Sequence, residues 1–516
     1  MQAAISHSWA AKKLRQGQTV IPGILMMGVA VIGALFALFV SSGSFEEYPY
    51  SFLMPWIVGL GLVMSIPMFL LYYQGKFSFA DPLVFATFSY WFPAFVIGGL
   101  FFAVGWSQPN FISLIQDAEH TLPLTITLIG LGYLGLASGY LVPIGSKLGS
   151  VVERRLPTTD FPSNALILPA IMLLLSGVLI SIIALLLGRF GYQRANEIGS
   201  YDGILYLTTL FWLQGSFLLC LIIFRERKWR VTHIPAVILL VTTGLGKFLY
   251  SGNRGSVLQL FLIVTLAFIL SGRKLTFKAT SLAGILLVLG LMLGMIYGTT
   301  FRNIKGGEEQ ISAGRYTESI FQTFDELGRY DLYESTLFGV TNFAGRVDIL
   351  TTLAVVVSSY EQLEPYEEAY GLDNNIWVDM TTFMVPRVVW EEKPVASDPR
   401  KYSELYFNFG ESSFAITPVG DLLRNYGIVG VPLGMFVIGV CLRFIYRALI
   451  EGHTGVTWRL TLYFMLLTAI SYEGFYGTII PTLFKIAFTS SVGILFVWIV
   501  AKFSSQTKLP FRHQRT

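Results

Sequence analysis

Apolar segments of about twenty residues recur along this 516-residue chain, and no other feature restricts its fold as strongly. A helix rises about 1.5 Å per residue, so roughly 20 apolar residues cross the hydrocarbon core of a bilayer. The segments that meet or nearly meet this length are 20–41, 52–73, 82–105, 122–143, 165–187, 203–224, 234–250, 255–271, 281–299, 422–443, 459–474 and 482–502. We therefore expect an all-α polytopic membrane protein with about 12 transmembrane helices.

Composition supports this class and excludes others. The chain is 53% hydrophobic and 13% charged, which lies outside the range of soluble globular proteins. The high hydrophobic content makes the lipid bilayer the expected surrounding of the chain. The net charge of +4 is too small to indicate a nucleic-acid partner. Cys220 and Cys441 lie in or beside apolar segments, which predicts packing roles and no disulfide framework.

The distribution of basic residues predicts one orientation of the spans. Bases are enriched in cytoplasmic loops, and every strongly basic short loop agrees with a cytoplasmic N-terminus. Those bases include Lys147, Arg154, Arg155, Arg225, Arg227, Lys228, Arg230, Arg273, Lys274, Lys278, Arg443, Arg447, Arg459, Lys502, Lys508, Arg512 and Arg515. Both termini are then cytoplasmic, and the long interval between spans 9 and 10 faces outward.

That interval, residues 300–417, is the acidic interval of this chain. It holds 19 acidic and 9 basic residues, so it has most of the chain's 32 acids. Within it, 311–332 has helical periodicity, with Ile320, Phe321, Phe324 and Leu327 on the expected apolar face. Residues 347–357 are apolar but too few to cross a bilayer, which predicts a buried or re-entrant helix. We divide the chain into helices 1–9 (1–299), an extracytoplasmic interval of short helices (300–417), and helices 10–12 with a basic tail (418–516).

Several basic residues lie on the expected outer side, where the orientation rule does not account for them. They are Lys247, Arg254, Arg302, Arg346, Arg387, Arg424 and Lys485. A cation within a span costs about 2.5 to 3.5 kcal/mol, so cations gathered at one depth suggest a bound anion such as a lipid-linked phosphate. The alternative is that each cation reaches lipid headgroups, or that Arg424 pairs with Asp421 three residues earlier.

Five short motifs occur in order between about residues 240 and 490. They are 251–255 (SGNRG), 342–346 (NFAGR), 385–394 (VPRVVWEEKP), 414–420 (FAITPVG) with 425–427 (NYG), and 473–474 (EG). This series resembles bacterial oligosaccharide repeat-unit polymerases, the Wzy-type O-antigen and exopolysaccharide polymerases. Asn253 and the Glu391–Glu392 pair depart from the family pattern, which leaves the subfamily open.

The resemblance implies a glycosyltransferase of the GT-C-like kind in the bacterial inner membrane. Its substrate would be an undecaprenyl-diphosphate-linked oligosaccharide, and repeat units would be joined on the outer face of that membrane. Whether a chain-length-regulating membrane protein is a partner stays open. No cofactor is expected, and with acids scattered through the acidic interval no metal site is expected either.

The residues that the chemistry requires can be assigned to roles. Arginines stabilise a departing diphosphate, and a carboxylate accepts the proton of the acceptor hydroxyl. The expected catalytic residues are Arg254, Arg302, Arg346, Arg387, Glu473 and Glu411. The expected substrate-binding residues are Lys247, Asn253, Lys393, Arg424, Tyr402 and Tyr406, although packing is the alternative for both tyrosines.

Three other functions compete with the polymerase. A GT-C glycosyltransferase for single sugars would use acids of the first outer loop, where Glu46 and Glu47 lie. The related O-antigen ligases have a functional histidine in their large outer loop, whereas residues 300–417 contain no histidine. A lipid-linked oligosaccharide flippase would line its passage with charges at many depths, whereas these charges lie near the outer ends of spans.

Overall fold

The computed structural model describes residues 48–161, 165–187, 201–226, 231, 233–252, 255–273, 276–306, 313–329, 342–410, 413–453 and 455–506. Its helices in chain order are α1 Met54–Tyr73, α2 Pro82–Ala103, α3 Ala118–Leu141, α4 Pro143–Glu153, α5 Ile167–Leu186, α6 Asp202–Thr209, α7 Phe211–Arg225, α8 His233–Ser251, α9 Gly255–Leu270, α10 Phe277–Lys305, α11 Ala313–Leu327, α12 Leu350–Tyr370, α13 Asn375–Thr382, α14 Pro399–Phe407, α15 Thr417–Leu449, α16 Thr457–Leu467 and α17 Tyr476–Gln506. These described residues form no strand. The all-helical prediction is confirmed for them.

Eight helical stretches of the described residues, one of them formed by α6 and α7 together, are long and apolar enough to cross a membrane, and they indicate a membrane protein. They are Ser51–Tyr73, Pro82–Ala103, Ala118–Leu141, Ile167–Leu186, Asp202–Arg225, His233–Tyr250, Thr417–Leu449 and Tyr476–Phe503. The expected first span, 20–41, lies outside the described residues. Helix α9 is apolar but has only 16 residues, and 281–299 falls within the 29 residues of α10.

The segment expected to span at 459–474 has a different form from the prediction. Its helix α16 has only 11 residues, about 16 Å, and turns follow it from 468 to 475. Those turns reach the start of α15, where the Thr417 amide donates to the Glu473 carbonyl at 3.5 Å. The chain therefore leaves helical geometry close to the end of the bundle at which Thr417 lies.

Small residues allow the central helices to pack closely. Gly135 and Gly139 of α3 face the backbone of α15, where an added Cβ would lie 2.4 Å from the Pro432 carbonyl oxygen and 2.0 Å from that of Phe436. Gly439 of α15 faces α3 in the same way. Such small-residue contacts let helix backbones approach each other in membrane proteins. Helices α3 and α15 therefore form the centre on which α12 rests.

The described part of the acidic interval contains α11, α12, α13 and α14, which have 15, 21, 8 and 9 residues, and two expectations for it have different outcomes. The apolar segment at 347–357 forms the first half of α12, and its residues from Leu350 to Val357 are all buried. The amphipathic helix forms as α11, but the prediction of its buried face is wrong in part. Phe321 and Phe324 are exposed, although the Phe324 ring lies 5.7 Å from that of Tyr297 on α10. Tyr316 and Ile320 are buried against the aromatic residues of α10, and Thr323 is also buried.

Candidate functional site

A cavity of about 280 Å³ lies where the turns after α16 meet the starts of α12 and α15. Its lining includes charged, hydroxyl and aromatic side chains. The polar and aromatic members are Phe111, Arg346, Asp348, Thr352, Ser413, Phe414, Ser471, Glu473 and Phe475. The lining is about as polar as it is apolar, and a concave site of this kind is a candidate for ligand binding.

Arg346 reaches the cavity because α2 lets the backbone before α12 come very close. An added Cβ on Gly98 would lie 2.4 Å from the Val347 carbonyl oxygen, so only glycine fits. Residues Thr87–Ile97 of α2 form a π-helix, and the Ala94 carbonyl there accepts from the Ile349 amide at 3.4 Å. π-Helical segments are rare in proteins, and those that occur are often found at functional sites. Arg346 is exposed and has no ion-pair partner in the part of the chain that the structure describes.

Glu473 enters the same cavity from the turn between α16 and α17. Its backbone is fixed at both ends, because its amide donates to Ser471 Oγ at 3.4 Å and its carbonyl accepts from the Thr417 amide. Its side chain is exposed and, within the described ranges, forms neither a hydrogen bond nor an ion pair. Two motifs that are far apart in sequence thus place an arginine and a carboxylate in one cavity, each without a partner of its own.

Asp348 is a lining residue that the sequence analysis did not select. Its Oδ2 accepts from Ser107 Oγ at 2.8 Å and from Thr351 Oγ1 at 3.0 Å, and its Oδ1 accepts from the Thr351 amide. Burial raises the pKa of Asp348 from its ordinary value of 3.8 to about 6. The sequence signal was an acid directly before an apolar segment, which also describes an ordinary helix cap.

Arg424 lies behind the cavity in a buried network, with none of its side chain exposed. Its guanidinium donates to Glu367 Oε2 at 2.7 Å, to Asn375 Oδ1 at 2.7 Å and to Asp421 Oδ1 at 2.9 Å. It also donates to the Leu372 carbonyl. The Arg424 side chain therefore has no exposed surface, the alternative of pairing with Asp421 describes its position, and its expected contact with substrate stays a prediction.

The network also fixes the turn that carries Glu473. The Gly477 amide donates to Asp421 Oδ2 at 3.3 Å, and the Phe475 ring lies under the Arg424 guanidinium at 5.9 Å. Burial raises the pKa of Glu367, and the nearby Arg424 opposes that rise. Arg424 thus joins α12, α13 and α15, and its partner Asp421 joins α17 to them.

The two tyrosines expected to stack on sugars are buried. Tyr402 has none of its surface exposed, and its ring packs 5.1 Å from that of Tyr406 and 5.9 Å from that of Phe475. The Tyr406 hydroxyl donates to Glu367 Oε1 at 2.7 Å. Neither ring presents a face to a glycan here, and packing describes both.

Arg387 and Lys393 lie outside the cavity lining, although both were expected at the phosphate site. Lys393 Nζ donates to the Val385 carbonyl at 3.0 Å, and the positive charges of Lys485 and Arg387 act on it. Burial, together with those two charges, lowers the pKa of Lys393. These three cations form a second basic group, beside α17.

Lys247 and Arg302 lie on α8 and α10, and the described lining of the cavity includes neither. Lys247 Nζ is 4.4 Å from the centre of the Trp212 ring and 3.5 Å from Gln259 Oε1. Arg302 Nε donates to the Gly298 carbonyl of its own helix at 2.8 Å. The single phosphate site expected from Arg254, Arg302, Arg346 and Arg387 stays a prediction.

Three expected site residues, Asn253, Arg254 and Glu411, lie outside the described residues, as do Glu46 and Glu47. Among the described residues, no group of three or more histidine, cysteine, aspartate or glutamate side chains has an arrangement that could hold a metal ion. The fold thus defines an all-helical protein with membrane-spanning helices and a charged cavity at one end of the bundle. No protein-family model, curated protein or solved structure matches this chain.

Proposed function

We propose that this protein is a glycosyltransferase that joins undecaprenyl-diphosphate-linked oligosaccharide repeat units at the outer face of the bacterial inner membrane. The observation that carries the proposal is the meeting of Arg346 and Glu473 in one cavity. Each belongs to a different motif of the polymerase resemblance, and neither has a partner among the described residues. Both side chains are exposed and, in the described part of the chain, not held by an ion pair, so they are accessible to a charged or reacting group of a ligand.

The reaction forms a bond between the acceptor hydroxyl oxygen and the donor's anomeric carbon. The bond between that carbon and the diphosphate oxygen breaks, and its electron pair leaves with undecaprenyl diphosphate. Arg346 would stabilise the negative charge that develops on the leaving diphosphate. Glu473 would accept the proton of the hydroxyl.

The aromatic part of the lining supports a saccharide ligand. Phe111, Phe414 and Phe475 line the cavity together with the two charged groups. Aromatic rings offer flat apolar faces, which suit the apolar faces of sugar rings. The cavity volume of about 280 Å³ suits one or two sugar units, so the rest of a long glycan would extend outside it.

The test uses purified protein in proteoliposomes with lipid-linked repeat units, and gel separation of the products. Arg346→Ala is expected to lower the rate of chain extension by a factor of about 10² to 10³. This is the usual effect of losing one preorganised donor to a developing negative charge. Glu473→Gln is expected to lower it by about 10² to 10⁴, because the amide cannot accept the proton. Arg346→Lys should retain more activity than Arg346→Ala, since it keeps the charge.

Matched controls lie on the surface away from the cavity. Arg329, which pairs with Asp325, is exposed, and Glu368 is also exposed. Arg329→Ala and Glu368→Gln should extend chains at the wild-type rate. Wild-type extension by Arg346→Ala and Glu473→Gln would refute the site. Transfer of the glycan to a different acceptor would instead indicate a ligase, and movement of unextended lipid-linked units across the bilayer would indicate a flippase.

A further inference from the structure

A surface of mixed apolar and basic character lies beside α17 near Lys485, and none of its residues is in the lining of the cavity. We call it the interface patch and define it by Met384, Arg387, Val389, Trp390, Lys393 and Lys485. Met384, Val389 and Trp390 are exposed, and 77% of Val389 is accessible. Single exposed apolar side chains are normal, whereas several large ones in one segment indicate a contact surface.

Contacts on both sides hold the patch in place. The Phe383 ring packs edge-on against the Phe484 ring of α17, with 5.3 Å between centres. The Val389 and Trp390 amides both donate to the Pro386 carbonyl, which closes a tight turn. Lys393 Nζ donates to the Val385 carbonyl across the base of that turn. The apolar tip is therefore presented outward by a fixed backbone.

The length of α17 gives the depth of the patch in a bilayer. Lys485 and Lys502 are separated by about 25 Å of helix, and no charged residue lies between them. That length is close to the roughly 30 Å thickness of a hydrocarbon core. At the far end, Lys502 lies 5.2 Å from the Trp498 ring, a pairing typical of a membrane interface. Lys485 then marks the opposite interface, and Arg387 and Lys393 lie near it.

The surface of α17 between these two lysines continues the patch. Phe488, Val492 and Leu495 are exposed on it, as expected of side chains that contact lipid tails. The acids near the patch are Asp379, which accepts from Ser397, and Glu391 and Glu392 in the exposed turn. The charges that act on Lys393 are the cations Lys485 and Arg387 and the one acid Asp379, which also interacts with Lys485, whereas neither glutamate is among them. The three cations therefore outnumber the acid that acts on them, and they lie beside the apolar surface of α17.

We propose that the interface patch docks on one leaflet of the bilayer, with Val389 and Trp390 inserted among lipid chains and the three cations bound to phosphates of anionic phospholipid headgroups. Charge complementarity and continuity with the lipid-facing side of α17 support this occupant. The docking would hold the segment 383–395, and α13 before it, at a fixed height above the membrane. It is independent of the reaction proposed for the cavity.

The depth of the patch is tested with a nitroxide label at Val389→Cys in the full-length protein, after Cys220 and Cys441 are replaced by alanine. In proteoliposomes, the label should collide more with oxygen than with a water-soluble nickel complex, and a label at Phe488→Cys should do the same. A label at Tyr366→Cys, which is exposed among acids of α12, should show the reverse. Equal behaviour of the labels at 389 and 366 would overturn insertion.

The headgroup contact is tested by binding of phosphatidylglycerol and phosphatidylcholine to the purified full-length protein. The variant Arg387→Gln/Lys393→Gln/Lys485→Gln should lose roughly fivefold in phosphatidylglycerol affinity for each charge removed, about a hundredfold in total. Affinity for phosphatidylcholine should change little. The control Arg329→Gln/Lys401→Gln removes two exposed cations elsewhere and should bind like wild type.

Three results would overturn the headgroup contact. The first is unchanged phosphatidylglycerol affinity in the triple variant. The second is competition by inorganic phosphate at the same concentration as the lipid, which would indicate a site for soluble anions. The third is displacement of phosphatidylglycerol by a polyprenyl diphosphate at a much lower concentration, which would make the patch a substrate site.

Discussion

Replacement of Arg424 by methionine tests how much of this fold depends on one buried cation. The guanidinium is fully buried and contacts Glu367, Asn375 and Asp421 at 2.7 to 2.9 Å. Methionine is also unbranched, but it is shorter and carries no charge, so both carboxylates would stay buried without a counter-charge. Breaking a buried ion pair in this way costs about 3 to 5 kcal/mol, a large fraction of the stability of a typical fold.

The same contacts predict that the loss is recoverable. In the triple variant Arg424→Met/Glu367→Gln/Asp421→Asn, no buried charge is left without a partner, and neutral replacements of buried ion pairs are often tolerated. The triple variant should therefore recover most of the stability that the single variant loses. The exposed Arg329, which pairs with Asp325, gives the contrast, because Arg329→Ala should cost less than about 1 kcal/mol.

The assay is unfolding of the purified protein by SDS titration in mixed micelles, with the free energy of unfolding compared among the variants. Chain extension measured at low SDS, where each variant is folded, separates structure from chemistry. Arg424 is expected to act through the position of the turn at Glu473, so folded variants should lose less activity than Arg346→Ala. A single variant as stable as wild type, or a triple variant less stable than the single one, would refute the reasoning.

Three further predictions concern the cavity and its surroundings. Because burial raises the pKa of Asp348 to about 6, the folded state binds its proton more tightly than the unfolded state does, and stability should fall as pH rises from about 4 to about 6. Asp348 should contribute at most about 3 kcal/mol to this change in the free energy of unfolding. Asp348→Asn should remove that contribution, as measured by the free energy of unfolding against pH. Gly98→Ala should destabilise the protein and reduce activity, because its Cβ would meet the Val347 carbonyl, whereas Gly59→Ala, with open space around it, should change neither. Chain extension should continue after treatment with a chelator, and its loss with recovery on adding magnesium would contradict an arginine-based stabilisation of the diphosphate.

Helix positions could be predicted well from the sequence where the signal is local. Eight predicted spans coincide with apolar helices, because about 20 successive apolar residues are recognisable without any knowledge of their neighbours. The break after α16 was missed for a related reason. The segment 459–474 is apolar enough to suggest a continuous span, but its last turns are held by the Thr417 amide, which belongs to another helix.

The face of a short helix was harder to predict than its existence. Helix α11 has the expected periodicity, yet Phe321 and Phe324 are exposed and Tyr316 is buried. The choice of face depends on the aromatic residues of α10 that α11 packs against, and periodicity alone does not contain that information.

The sequence by itself determined the class of this protein, since hydrophobicity and charge distribution act over lengths of a single helix. It also supplied Arg346 and Glu473 as candidates. Only the tertiary structure decided that these two meet in one cavity, while Arg424 is bound to Glu367 and Asp421. The physical reason is that a charged side chain is paired only when another helix places an opposite charge within about 3 Å of it. Without such a partner, the side chain remains accessible to a ligand.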